Sequence, residues 1–414
     1  MSEPIFPEVK GTKTICIPCN KTEYERIVDD RDAFRKYIVH LYSVYPELFP
    51  ISMCNGFVFN GFQPLSAKLG IRIRRIIIGH EKESFSVRPS FAMPYMTAFT
   101  EDVEKALFLR RFDVPFWGIT YVFGRDDMYW QRIENSFGRY SIVGTTVKNP
   151  EILPKDVIAD EKHSKRKGEK IYVATTIGNE VILGAAVSPG AGAKDLTAAY
   201  QEFADEAKNV NPDYVPETVN TDGWDATQKA WLKIFPGITI ILCFLHAFLG
   251  IRQRCSKKLR KLYFEIGDRV WETYRAETKK SFSQRIRRLR EWADKNVKND
   301  IVLSKILALC NKKERFIVAY DHPDACRTSN MLDRLMRWMD EYLFNRKYFH
   351  GTFESAKLTI RAWALLRNFQ PYCPRALGNK TELVSAAEKF NGFRYSDNWL
   401  ENLLISASMG GYRR

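Results

Sequence analysis

The sequence predicts a mixed α/β (α+β) chain. A five-stranded mixed sheet covered by helices lies at its centre, an all-helical insertion precedes the last helices, and the N-terminal region is mostly helical. Three observations carry this expectation. Residues 151–250 alternate strands rich in β-branched residues with amphipathic helices, in the order βββαβαβ. Residues 251–315 are helical by periodicity and hold roughly twenty Lys or Arg against about eight acids. Residues 1–150 mix short helical patterns with loops. The expected divisions are 1–150, 151–250, 251–326 and 327–414.

At 414 residues the chain is long enough for two or three buried cores, and its formal net charge is +15. That balance favours a polyanionic partner, because Lys and Arg that neutralise phosphates release condensed counterions. Residues 1–10 are polar and carry Pro4 and Pro7, so no secretory leader is expected. The most apolar run, 238–249, is too short to span a bilayer and contains His246, so no membrane partner is expected. Eight cysteines without dense pairing read as reduced thiols of a cytoplasmic protein. Cys16 and Cys19 have the spacing of half a zinc site; Cys54 or His40 would have to supply the rest, and two free thiols near a turn are the alternative.

In the first region, 100–112 reads as a helix capped by Thr100, with Glu101 and Asp102 in its first turn. A second helix starts at Pro115 and ends at Gly124, and Asp126 or Asp127 caps a third that runs to Ser136. The segment at about 97–140 is therefore a candidate helix-turn-helix, with Tyr129, Trp130 and Arg132 on the DNA-reading helix; a plain helical bundle is the alternative.

The central region begins with a short buried strand, 156–160, that ends in Asp160. A polar turn at 162–170 leads to strands at 171–177 and 180–187, joined by Gly178 and Asn179. Asp195 caps a helix reaching Ala207, whose Leu196, Ala199, Tyr200 and Phe203 share one face. A fourth strand, 216–220, runs into Asp222; a helix at 226–235 and a fifth strand at 238–244 follow. This is the RNase H-like order.

With strands one and four adjacent and parallel, Asp160 and Asp222 emerge at one edge of the sheet. Close carboxylates repel, and a cation relieves them. Mg²⁺ needs only one or two protein carboxylates beside phosphate oxygens and waters. Two Mg²⁺ (or Mn²⁺) ions held there would suit phosphodiester cleavage and transfer. The bland reading makes both acids turn residues, and Asp222-Gly223 is a good turn dipeptide. A third acid is expected on a later helix, where Ser329 can cap and Leu332, Leu335, Met336, Met339 and Leu343 form the apolar stripe. Asp333 lies in its first turn; the rival, Glu341, is eight residues on, roughly 12 Å along the axis, so both cannot serve one metal pair.

The segments VIADEKHSKRKGEKIYVATT, VNTDGWDATQKAWLKIFPGITIILCFLH and RTSNMLDRLMR resemble the catalytic blocks of DDE transposases of bacterial insertion sequences, in the broad Mutator-like group. The resemblance covers the chain from about residue 155 onward. It implies catalytic roles for Asp160, Asp222 and Asp333 and a C-x-x-H motif at Cys243 to His246, with His246 an active-site organiser beside Cys243. It also implies that the helical stretch between Ile251 and Cys326 is the insertion these enzymes carry before the third acid. The family pattern usually ends in Glu, where this chain has Asp333.

The basic helices concentrate Arg285, Arg287, Arg288 and Arg290 within a turn and a half, with Lys257, Lys258 and Arg260 upstream. Trp271, Tyr274 and Trp292 flank them, which suits phosphate contact with stacking on distorted DNA ends; a solvated helix face is the alternative. Further on, 361–369 reads as an amphipathic helix with Trp363 in the core, and 390–409 as a loop and final helix. The expected function is transposition. Its partners would be double-stranded DNA, both terminal inverted repeats and target, and further copies of the chain on that DNA. A prokaryotic setting would place it in the cytoplasm at the nucleoid. A nuclease that only hydrolyses and a catalytically silent DNA-binding protein are the alternatives.

Overall fold

The computed structural model describes residues 12–79, 83–255, 259–378 and 382–412. It is a mixed α+β structure, 56% helical, with two mixed sheets of four and five strands. The first sheet holds β1 (Thr14–Ile17), β2 (Phe57–Phe62), β3 (Arg74–Ile78) and β4 (Glu83–Pro89) in the order β1-β4-β3-β2, with only the β1–β4 pair parallel. Helices α1 (Lys21–Ile27) and α2 (Arg31–Val44) lie between β1 and β2 in sequence. The N-terminal region is mostly helical, as expected, but it also holds this sheet, which was not expected. The missed signal has a period of two: Phe85 and Val87 are buried and alternate with Ser84 and Ser86.

Next come α3 (Thr100–Leu109), α4 (Phe116–Phe123), α5 (Asp127–Ser136) and α6 (Ile142–Thr146). Thr100 is the first helical residue rather than the cap, and its hydroxyl donates to the Ser90 carbonyl. Asp126 does cap α5, accepting from the Tyr129 N–H.

The second sheet contains β5 (Asp156–Arg166), β6 (Glu169–Gly178), β7 (Val181–Ser188), β8 (Thr218–Thr221) and β9 (Thr239–Leu242). Its order is β7-β6-β5-β8-β9; β5–β6 and β6–β7 are antiparallel, β5–β8 and β8–β9 parallel. Helices α7 (Ala193–Val210) and α8 (Asp225–Ile234) connect its later strands. Gly192, not Asp195, occupies the α7 cap position, and Asp195 sits in the first turn. The polar stretch expected as a turn continues β5, because its inward residues still pair with β6 as far as Arg166 opposite Glu169. The turn is reduced to Lys167-Gly168, both at positive φ, as a two-residue hairpin requires. Asn179 and Glu180 make the next hairpin in the same way, one residue later than expected.

The chain continues through α9 (Phe244–Arg252), α10 (Arg260–Tyr274), α11 (Lys279–Asn296), α12 (Asp300–Asn311) and α13 (Lys313–Ile317). It closes with α14 (Asn330–Asn345), α15 (Phe353–Phe369), α16 (Pro374–Leu377), α17 (Ala386–Asn391) and α18 (Trp399–Ser406). Among the described residues, no helix is long and apolar enough to cross a membrane.

Strand alternation divides the second sheet into two faces. Val157, Ala159 and Val219 pack against Tyr200 and Phe203 of α7 and Trp231 of α8. Ile158 on the other face joins Leu332, Leu335 and Met336 of α14, in a core that also contains Trp363 and runs into the first sheet. The boundary expected at residue 150 thus separates compositions rather than cores. A third core, around Phe244, Phe282, Ile286 and Leu289, holds α9 to α13 together as a helical unit. The C-terminal segment stitches the first sheet to α6: Ser408 Oγ accepts from Cys16 N at 3.1 Å, and Gly410 O accepts from Ser141 N at 2.9 Å. A Cβ at Gly144 would stand 1.7 Å from the Gly411 carbonyl oxygen, so this close approach requires glycine.

Candidate functional site

On the α14 side of the second sheet, parallel pairing between β5 and β8 stops at Ile158 opposite Asn220. Asp160 and Asp222 each follow two residues later, so alternation puts both on the face that α14 covers. Asp160 lies in mid-strand, not at a strand end; it is the neighbouring strand that ends. Asp222 is exposed, and its Oδ1 accepts from the Trp224 N–H at 2.7 Å. Gly223, at φ +96°, lets the chain turn there into α8.

The expected fifth strand is shorter than its apolar run, because that run holds two elements. β9 ends at Leu242, Cys243 takes the cap position, and α9 begins at Phe244. His246 therefore sits in the first helical turn, on the same side as Cys243. Across from it, Ser329 occupies the cap position of α14 and is 2% exposed. Its hydroxyl makes no cap bond to the helix backbone. It donates instead to Asp333 Oδ2 at 3.0 Å, and it lies 3.3 Å from His246 Nδ1 and 3.2 Å from Cys243 Sγ.

One ligand atom each from Asp160, His246 and Asp333 lies within 4.8 Å of the others, a cluster able to hold a metal ion. Asp222 stands beside this trio without belonging to it. Of the two candidate third acids, Asp333 is the one at the cluster; Glu341 accepts from Arg337 Nε at 3.2 Å further along α14. Burial first, and then the Asp222 charge, push the Asp160 carboxyl up to about 6. The Cys243 side chain first, opposed by burial and aided by Asp160 and Asp333, pushes His246 up to about 9. The Cys243 thiol is buried, which works against ionisation, yet His246 and Ser329 lower it.

Compared with protein-family models and with curated proteins, the sequence has no match. What the site can do follows from its donors: two carboxylates and an imidazole attract a divalent cation, and a third carboxylate waits at the rim.

Glu161 was not expected from the sequence. It points to the opposite face, where Tyr200 Oη and Thr227 Oγ1 both donate to its Oε1 at 2.7 Å, while Oε2 is buried with no hydrogen-bond partner among the described residues. Burial pushes this carboxyl up to about 7. The signal for it was the alternation itself: an acid flanked by Asp160 must face the α7–α8 core once the strand continues.

The other sequence-derived candidates lie elsewhere. Arg287, Arg288 and Arg290 are exposed on α11, opposite its buried Phe282, Ile286 and Leu289; Arg285 is half-buried and donates to the Glu272 carbonyl. Arg260 stands over the Phe264 ring at 5.8 Å, and Lys257 and Lys258 lie outside the described residues. Trp271 and Tyr274 pack around Phe244 in the helical core, so they do not offer free faces for stacking; Trp292 is covered by Arg269 at 4.6 Å. On α5, Trp130 is 3% exposed and donates its indole N–H to the Gly124 carbonyl. That corrects its expected place on a DNA-reading face: the α5 side bearing Trp130, Ile133 and Glu134 is buried, with Tyr129 half-buried and Arg132 exposed beside it. The exposed aromatics of the 97–140 segment are Phe112, just before α4, and Trp117 and Tyr121 on α4. Cys16 and Cys19 are buried in the first sheet's core, Cys54 is exposed, and no metal cluster among the described residues includes a cysteine.

Proposed function

We propose that the chain is a transposase of the DDE type, cleaving and joining DNA strands with an RNase H-like core. The observation that carries this reading is the meeting of Asp160 and Asp333 beside a β7-β6-β5-β8-β9 sheet, close enough to Asp222 for its charge to act on Asp160, from three segments far apart in sequence. The resemblance of those segments to transposase catalytic blocks supports it, and so does a helical unit carrying twenty Lys or Arg against eight acids between β9 and α14.

In this reading Asp160 and Asp333 hold Mg²⁺ or Mn²⁺, and Asp222 at the exposed rim helps to hold a second ion. A bound divalent cation would supply polarisation of the phosphodiester and acidification of the attacking water or hydroxyl. Asp160 contributes through its burial, which makes its charge costly without a cation and so strengthens cation binding. Ser329 fixes the Asp333 rotamer through its hydrogen bond, and His246 sits between the two acids. Arg287, Arg288 and Arg290 would engage the phosphates of transposon ends, and bringing two ends together calls for two or more copies of the chain on DNA.

The test is a cleavage and joining assay on DNA carrying the terminal sequences that flank the coding region. Wild type should cut and join in Mg²⁺ or Mn²⁺, and Asp222→Asn should bind the same DNA without cutting it. Hydrolysis without joining would leave a nuclease; binding with no cutting by wild type would leave a DNA-binding protein.

A further inference from the structure

The hydrogen bonds around Ser329 fix more than a helix end. A serine hydroxyl has one proton and two lone pairs. The proton goes to Asp333 Oδ2 at 3.0 Å. Toward His246 Nδ1, 3.3 Å away, the oxygen must then accept, so Nδ1 carries a proton. Its second lone pair faces the Cys243 thiol at 3.2 Å, and Cys243 Sγ accepts in turn from the Ser329 backbone N–H at 3.2 Å. The serine is saturated, and both ends of the C-x-x-H motif are tied to it.

With Nδ1–H committed, a neutral imidazole keeps its lone pair on Nε2. Nε2 is the atom that faces Asp333 Oδ1, at 4.0 Å, and that belongs to the cluster with Asp160. Donors roughly 2.1 Å from one cation stand up to about 4.2 Å apart, so this pair is already spaced for a shared ion. A far nitrogen donating to a protein oxygen is also how metal-ligating histidines are oriented.

We infer that His246 Nε2 is a ligand, together with Asp160 and Asp333, of one divalent cation, and that Ser329 is the positioning residue that sets its tautomer. The mixed oxygen and nitrogen donor set suits a first-row transition cation such as Mn²⁺ better than Mg²⁺, which prefers oxygen alone. The inference rests on the carboxylate site proposed above, but its test does not involve DNA.

The experiment is pulsed electron paramagnetic resonance of Mn²⁺ bound to the full chain. Wild type should show ¹⁴N modulation from a directly bound imidazole, and ¹⁵N-histidine labelling should replace that pattern without any substitution. Since the chain has six histidines, His246→Asn identifies the source and should abolish the signal. Ser329→Ala should weaken Mn²⁺ binding by about 10–100-fold with an unchanged unfolding midpoint. Mn²⁺ bound without nitrogen coupling would overturn the inference and leave the carboxylate reading standing, with His246 a counter-charge only. Failure to bind Mn²⁺ at all would overturn both. Nitrogen coupling in a chain that never cuts DNA would uphold the inference and sink the transposase reading.

Discussion

Ser329 Oγ lies 3.3 Å from His246 Nδ1, although 83 residues and the whole basic helical unit separate the two in sequence. The contact joins the start of α9 to the start of α14 and thereby brings Asp333 to the sheet. The helical unit is inserted between two halves of one site and has its own core around Phe244 and Phe282.

The acids divide by role. Asp160→Asn and Asp333→Asn should each lower metal-dependent DNA cleavage by at least about 100-fold, exceeding the usual effect of an outer-shell change. Glu341→Gln, whose carboxylate is engaged by Arg337, should cleave like wild type. Single-turnover cleavage rates for the three variants check this, and inactivity of Glu341→Gln alone would transfer the third role to it.

Cation affinity should depend on pH through Asp160. Its carboxyl titrates at about 6, and a cation must displace the proton below that pH. Calorimetric titration with Mn²⁺ should therefore show affinity at least about 10-fold weaker at pH 5 than at pH 7, and still rising toward pH 9 if His246, at about 9, is also a ligand. A flat profile would mean that Asp160 is not a ligand.

Glu161 should make the protein less stable as pH rises. Its folded-state value of about 7 lies above the ordinary carboxylate value of 4.5, so its contribution is fully present below pH 4.5 and is lost as pH climbs through 7. Glu161→Gln removes the ionisation while keeping an acceptor for Tyr200 and Thr227. Urea unfolding at pH 5 and pH 8 should show the variant gaining up to roughly 2 kcal/mol on wild type at the higher pH. An equal difference at both values would count against an ionisable role.

The exposed arginines of α11 should act through phosphates. Replacing Arg287, Arg288 and Arg290 with Gln should weaken DNA binding and reduce the slope of log K against log salt by roughly 3, near 0.9 for each phosphate no longer neutralised. Binding isotherms from 50 to 300 mM salt (about that range) check it, and an unchanged slope would make these residues a solvated helix face.

Local pattern was enough to order the elements of the second sheet and to nominate Asp160, Asp222 and Asp333. β-Branched runs such as IYVATTI and period-3.6 stripes such as that of α14 are local; the first marks a strand buried on both faces and the second records which helix face must be buried. Where two elements shared one apolar run, local pattern could not divide them: 238–249 holds the end of β9 and the start of α9. In the first sheet β2, β3 and β4 pair with their neighbours in sequence and their period-two signal was missed; only β1 pairs at a distance, with β4. Only the assembled fold shows that Asp160 lies mid-strand where β8 stops, that Trp130 is buried, and that Glu161 faces the α7–α8 core. The same docking diverts the Ser329 hydroxyl from capping α14 to Asp333 and brings it within hydrogen-bond distance of His246. A hydrogen bond depends on where two distant segments dock, and that is set by the summed burial of three cores rather than by any spacing within one of them.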